Sequence, residues 1–186
     1  MLAIDRPKRH ALSALLVMVA VAIATLGLAA PALACKGADA NPGKKSLKKI
    51  ESATFCLLND RRQKHGVRSL HRNDRLDESS ARHSRDMEEH NYFSHTGRGG
   101  VSLTSRVRRT GYLSGSNSWT LGENIAWGGD SRAKPRSIVK AWMKSSGHRR
   151  AILHSSFRDA GVGVARGAPT GGDRDAAVYT TDFGDN

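Results

Sequence analysis

The feature that most constrains this 186-residue chain is a change of hydrophobic period along its length. From near Ser46, Leu47, Ile50, Thr54, Leu57 and Leu58 recur at helical spacing, with Lys48, Lys49, Glu51, Asp60 and Arg61 on the other faces. Gly66, behind Lys64-His65, suits the C-terminal cap of that helix. A second helix starts after Asn73 or Asp74, and Leu76, Ser80, His83 and Met87 fall at i, i+4, i+7 and i+11. That places His83 on the stripe facing the core. Val101, Leu103, Val107 and Tyr112 predict a short amphipathic helix ending at Gly111. Pro135 opens a further helix with Ile138, Ala141, Trp142 and Ser145 inward, and Gly147 breaks it just before His148. Strand signals are few in the first part: Asn124-Ile125-Ala126-Trp127 stands between Gly122 and Gly128-Gly129. The tail then reads as a hairpin, Gly161–Ala165 and Ala176–Phe183 around a Gly/Pro/Asp-rich loop. Helices first and paired strands last predict an α+β layer fold with an antiparallel sheet.

The beginning of the chain reads as a targeting signal. Arg6, Lys8 and Arg9 precede an uncharged apolar run from Ala11 to Ala30, and Ala32-Leu33-Ala34 offers a small-x-small cleavage site. The run is long enough for a membrane span, but cleavage after Ala34 is favoured, so residues 1–34 are expected to leave a mature chain outside the cytoplasm with no transmembrane segment. Cys35 then becomes the first residue, and lipid anchoring there is an alternative, although Leu33 sits one position from where a lipoprotein signal usually has leucine. The other reading pairs Cys35 with Cys56, the two cysteines of an exported chain, and tethers an irregular leader (residues 35–49) to the first helix.

Thirty basic against 17 acidic residues give a formal charge of +13. Removing residues 1–34 takes away three basic residues and one acidic residue and leaves +11. Such a surplus attracts anionic envelope components, although charge spread along a chain is also ordinary solvated surface. No interleaved basic-aromatic motif points to specific nucleic acid binding.

The chemistry concentrates between Asn91 and Trp127. His95 in Tyr92-Phe93-Ser94-His95-Thr96 and Glu123 in Gly122-Glu123-Asn124 are ionisable residues among aromatic and small neighbours, and His148 in Ser145-Ser146-Gly147-His148 supplies a second histidine. Two histidines and a glutamate suffice to hold a divalent metal, or to act as a base with its electrostatic partner. They are also few enough to be purely structural. Ser145 and His148, three residues apart, suggest a nucleophile and its base, but the chain lacks a Gly-x-Ser-x-Gly elbow. His71 and His154 stand in surface-like contexts.

Six motifs occur in one order: Leu58-Asn59-x-x-Arg62-x-x-His65-Gly66, His83-Ser84-x-Asp86-Met87, Tyr92-Phe93-Ser94-His95-Thr96, Gly122-Glu123-Asn124-Ile125-Ala126, Trp142-Met143-x-Ser145-x-Gly147-His148-Arg149 and Gly161-Val162-Gly163-Val164. Together they resemble the bacterial branch of the CAP superfamily, which holds the cysteine-rich secretory proteins, antigen-five allergens and plant pathogenesis-related proteins. The resemblance runs from about Ile50 to Gly184 and implies a CAP (SCP) domain over residues 50–186. It implies an α–β–α sandwich with a central antiparallel sheet, and a cleft lined by two histidines and two acidic residues that binds a divalent cation in some members. His95, Glu123 and His148 fall on three of those positions. Ser145 stands where the second acidic residue is expected, which removes a negative charge and the obvious second acid/base group.

Three functions follow as expectations. The first is a secreted binding module whose cleft (His95, Glu123, Ser145, His148) holds zinc or another divalent cation weakly through His95, His148 and Glu123, beside a groove for a lipid, sterol-like or envelope ligand. The second is a metal-dependent hydrolase or peptidase in which Glu123 and His148 are the catalytic candidates. The third is an envelope structural or stress protein in which the histidine–glutamate set only holds loops together. Nothing in the pattern indicates an oligomer.

Overall fold

The first helix, α1 (Leu47–Lys64), ends as its sequence demands: His65 is the cap and Gly66 follows at φ +67, with the Val67 N–H returning to the Arg62 carbonyl at 2.9 Å. In the computed structural model the described residues are 35–172 and 175–186, so the expected signal segment, residues 1–34, lies outside them. After a two-residue strand β1 (His71–Arg72), helix α2 (Asp74–Glu89) begins at Asn73, whose side chain accepts the Arg75 and Leu76 N–H groups. Then come α3 (Leu103–Arg109), β2 (Thr120–Gly128), α4 (Pro135–Lys144), α5 (Ser146–Ile152), β3 (Asp159–Arg166) and β4 (Ala177–Asp185).

Among the described residues four strands form one sheet in the order β1-β3-β4-β2, antiparallel except for the short parallel pairing of β1 with β3. Strand alternation then sorts the two faces. Val162, Val164, Tyr179 and Phe183 share the large core with Ile50 and Leu58 of α1, Ile138 and Trp142 of α4 and Ile152 of α5. On the opposite face Val178 and Ile125 meet Met87 of α2, while Leu76 packs with Val107 and Tyr112. The helices expected from periodicity therefore cover both faces, and the α–β–α sandwich is the observed fold.

Gly161 and Gly163 show how closely the layers approach. A Cβ on Gly161 would lie 2.0 Å from the α2 backbone at Asp77, and one on Gly163 would lie 2.0 Å from that at Ala81. The Gly-Val-Gly-Val motif thus turns its bare backbone to α2 and its valines to the other layer. Two serines use the contact: Ser80 Oγ and Ser84 Oγ donate to the Gly161 and Gly163 carbonyls. Arg62, fully buried in α1, donates to the carbonyls of Arg68, Ile152, His154 and Phe157 and so joins α1 to the segment between α5 and β3.

Some expectations are met and others revised. The leader is irregular and packs against the domain, since Ala38 and Pro42 are buried and Arg136 forks onto Asp39. Cys35 and Cys56 form the disulfide, and a sulfur so engaged is not free for thioether lipidation. β2 extends from Thr120 rather than Asn124, because antiparallel pairing with β4 reaches back to Thr120–Asp185. In α4, Val139 is buried and Ala141 exposed: with Ile138, Val139 and Trp142 inward, Ala141 falls on the opposite side. That helix breaks at Ser145, not Gly147. Ser145 takes an extended conformation (ψ 126), and α5 restarts with the Arg149 N–H on its carbonyl. Among the described residues no helix is long and apolar enough to cross a membrane.

Candidate functional site

Glu123 organises the site from the edge strand β2. Its strand parity, shared with Ile125, turns it toward the α2 layer, where only 3% of its side chain stays exposed. Oε1 lies 2.8 Å from His95 Nδ1, and Oε2 pairs with the Arg106 guanidinium of α3. An ionised carboxylate only accepts, so the His95 proton sits on Nδ1 and the lone pair of the neutral ring sits on Nε2. His95 itself is 57% exposed. Arg106 also donates to the His95 and Val101 carbonyls at 2.9 and 3.3 Å, and thereby fastens the loop that carries the histidine.

His83 completes the buried side of this cluster. Its Nε2 is 3.0 Å from the Ser94 carbonyl, to which it must donate, and 3.8 Å from Glu123 Oε2. Burial pushes its pKa down, against the opposing pull of Glu123, so the neutral ring is favoured. Burial would raise the pKa of Glu123, but the His95 hydrogen bond and the charge of Arg106 together hold it below the usual range. Directly across the ladder from Glu123 lies Asp182 of β4, fully buried. Burial pushes its carboxyl well above the ordinary carboxylate range, and the charge of Glu123 adds to the shift. Two neighbouring carboxyls are thus shifted in opposite directions, Glu123 toward the anion and Asp182 toward the neutral acid.

His148 reaches the same edge from the other layer. It stands on α5, its carbonyl accepts from Asn124 Nδ2 of β2 at 3.1 Å, and burial lowers its pKa, with His95 contributing in the same direction. The backbone of His148 is thereby tied to β2 beside Glu123, and the charge of His95 is felt at its ring. Ser145 sits at the α4–α5 junction, and among the described residues no hydrogen bond joins it to His148. The donor set can be judged on these contacts. Among the described residues no three His, Cys, Asp or Glu side chains converge as a metal-ligand group. Glu123, expected among the ligands, is engaged by His95 and Arg106. With both of its oxygens engaged, Glu123 leaves the imidazoles of His95 and His148 as the remaining members of that set.

Sequence reasoning placed His83 only on the core-facing stripe of α2, and it missed Arg106 and Asp182. Each carried a signal. Arg106 adjoins Val107 on the face that α3 buries, and Asp182 stands in the buried middle of β4, where a carboxyl is expensive unless it is neutral or paired.

Residues 55–183 match the sequence profile of the cysteine-rich secretory protein family, CAP. The chain is 36% identical over 134 residues to the uncharacterized protein YkwD of Bacillus subtilis, covering 72% of this chain and 49% of that protein. It is also 36% identical over 123 residues to the uncharacterized membrane protein YlbC of the same organism, covering 66% and 34%. The chain thus spans half or less of these relatives. Among solved structures, an extracellular protein containing an SCP domain from Bacillus anthracis is 30% identical, with a TM-score of 0.60 over 74% of this chain and 42% of that one. An outer surface protein of Borrelia burgdorferi, 17% identical, shares the fold at a TM-score of 0.62 over 76% and 96%. Motif order, layer architecture and the matched span agree, and the chain belongs to the cysteine-rich secretory protein (CAP) family.

Proposed function

We propose that this chain is an extracytoplasmic binding domain whose cleft, at the β2 edge, holds a divalent cation weakly through His95 and His148 beside a surface for a lipid or envelope ligand. The carrying observation is the Arg106–Glu123–His95 chain of contacts, which fixes the His95 tautomer and leaves Nε2 available as a donor. The lowered pKa of His148 supports the same reading, since a neutral imidazole is the form that ligates. Zinc suits imidazole donors, and with two protein ligands the remaining positions belong to water, so affinity is modest. Phe93, two residues before His95 and 42% exposed, offers apolar surface nearby. The basic surplus favours an anionic envelope. Extracellular or surface relatives with this fold support the location.

Calorimetric zinc titration of the purified protein tests the proposal. Saturable binding that His95→Ala and His148→Ala each abolish, and that Glu123→Gln weakens, is expected. An absence of binding, with the same variants merely less stable, refutes the cation site. It would favour the reading in which the buried Glu123, with both oxygens engaged, only fastens the His95 loop to the sheet.

A further inference from the structure

Charge is spread unevenly over the domain. From Ser131 to Arg158 the chain has eight Lys and Arg residues and no Asp or Glu. Of the +11 that remains without residues 1–34, this run supplies +8 and all other residues together +3. The run folds into α4 and α5, which pack on the core through Ile138, Trp142 and Ile152. Lys140, Lys144, Arg149 and Arg150 are left exposed on the outside of this layer. Among the described residues none of these four has a carboxylate within 4 Å, whereas Arg136 is held by Asp39. Arg136, Lys140 and Lys144 fall at i, i+4 and i+8 on α4, a row rising about 6 Å from one cation to the next. Like charges at that spacing cost a helix stability, and neither α4 nor α5 carries an acidic residue to relieve them.

The layout of these cations selects the partner. Lys144, Arg149 and Arg150 border a concavity of about 430 Å³ at the α4–α5 junction, and Lys140 extends the set one turn back along α4. A single small anion cannot meet all four, whereas a chain of repeated charges can lie in the junction and continue along the helix. A bilayer fits less well. The large apolar side chains that stay exposed among the described residues, Phe93, Trp119 and Trp127, all stand outside this layer, while Met143 and Leu153 at the junction pack against the core. The face therefore offers charge without an apolar side chain to insert among acyl chains. We infer that the α4–α5 face docks a linear acidic polymer, held by repeated ion pairs and driven by release of the polymer's counterions. The inference rests on the binding-domain reading, to which it adds a class of partner and a surface, and it does not require the cation.

Calorimetric titration of the purified protein with polyphosphate of graded length, in the presence of a chelator, tests it. Long chains should bind and inorganic phosphate should not. The logarithm of the binding constant should fall with that of the salt concentration at a slope of about −3, as four contacts on a flexible polyanion give. Lys140→Gln/Lys144→Gln/Arg149→Gln/Arg150→Gln should weaken binding about tenfold or more and flatten that slope. Its melting temperature should be unchanged or raised, because the row of like charges is gone. A control variant, Lys44→Gln/Lys49→Gln/Arg108→Gln/Arg109→Gln, removes the same charge from exposed positions elsewhere and should keep most of the binding. No binding of long chains, equal binding of inorganic phosphate, or equal loss in the two variants overturns the inference. So does flotation with phosphatidylglycerol vesicles that only the first variant loses, if polyphosphate does not bind, since the face would then belong to a membrane. The chelator makes every outcome independent of zinc, so failure here is distinct from failure of the cation proposal.

Discussion

The Arg106–Glu123 pair permits a quantitative test of how the site is held. Both groups are largely withdrawn from water, Arg106 at 9% exposure and Glu123 at 3%. Arg106→Met keeps most of the stem and leaves Glu123 with the His95 bond and a histidine 3.8 Å away. Breaking a buried pair from one side costs about 3–5 kcal/mol, and these remaining contacts place this case near 3. Glu123→Gln preserves shape and leaves Arg106 its two carbonyls, His95 and Val101, so its cost falls at about 2–3 kcal/mol. The double variant leaves no uncompensated charge from the pair. It should cost little more than either single change, giving a coupling of roughly 2–3 kcal/mol. Urea denaturation of the four proteins at pH 7 measures the cycle, provided the dependence on denaturant stays constant across them. Additivity within about 0.5 kcal/mol would refute the argument, because it would mean that the two groups do not stabilise one another inside the fold.

Asp182→Asn should stabilise the protein at neutral pH. The wild-type carboxyl has a folded pKa raised by burial, so stability falls as pH rises from the unfolded value near 3.9 toward the folded one, and the asparagine variant should lack that slope in pH-dependent denaturation. Glu123 acts in the opposite sense: its pKa is depressed, so its contribution is present above the unfolded value and is lost as pH falls below it, a slope that Glu123→Gln should remove. Replacing both Cys35 and Cys56 by serine should cost about 3 kcal/mol for a loop of 21 residues, and reductant should lower the denaturation midpoint of the parent but not of the variant.

How much of this was legible in the sequence depended on whether a residue announced its surroundings. Helical stripes did so, because Leu76, Ser80, His83 and Met87 can share a face only on a helix, and all four are buried. The hairpin did so as well, and the glycines of Gly161-Val162-Gly163-Val164 proved to mark where α2 rests on the sheet. Periodicity could not locate the α4–α5 break, since Ser145 and Gly147 both interrupt helices and only the backbone at Ser145 shows which does. Nor could it give Arg106 or Asp182 their places. A charged residue reads as solvent-facing until its partner is known, and the partner of both, Glu123, is distant in sequence and joined to them only by sheet pairing and by the docking of α3. The same reasoning explains why Glu123 read as a metal ligand beside His95 and His148. Composition identifies which groups can bind a cation, whereas only the structure shows that a guanidinium occupies one oxygen of this carboxylate and His95 the other. The cleft's chemistry is therefore set as much by α3 as by the histidines. A change at Arg106, itself withdrawn from solvent, should disturb His95 more than an equal change of charge on the surface beside it.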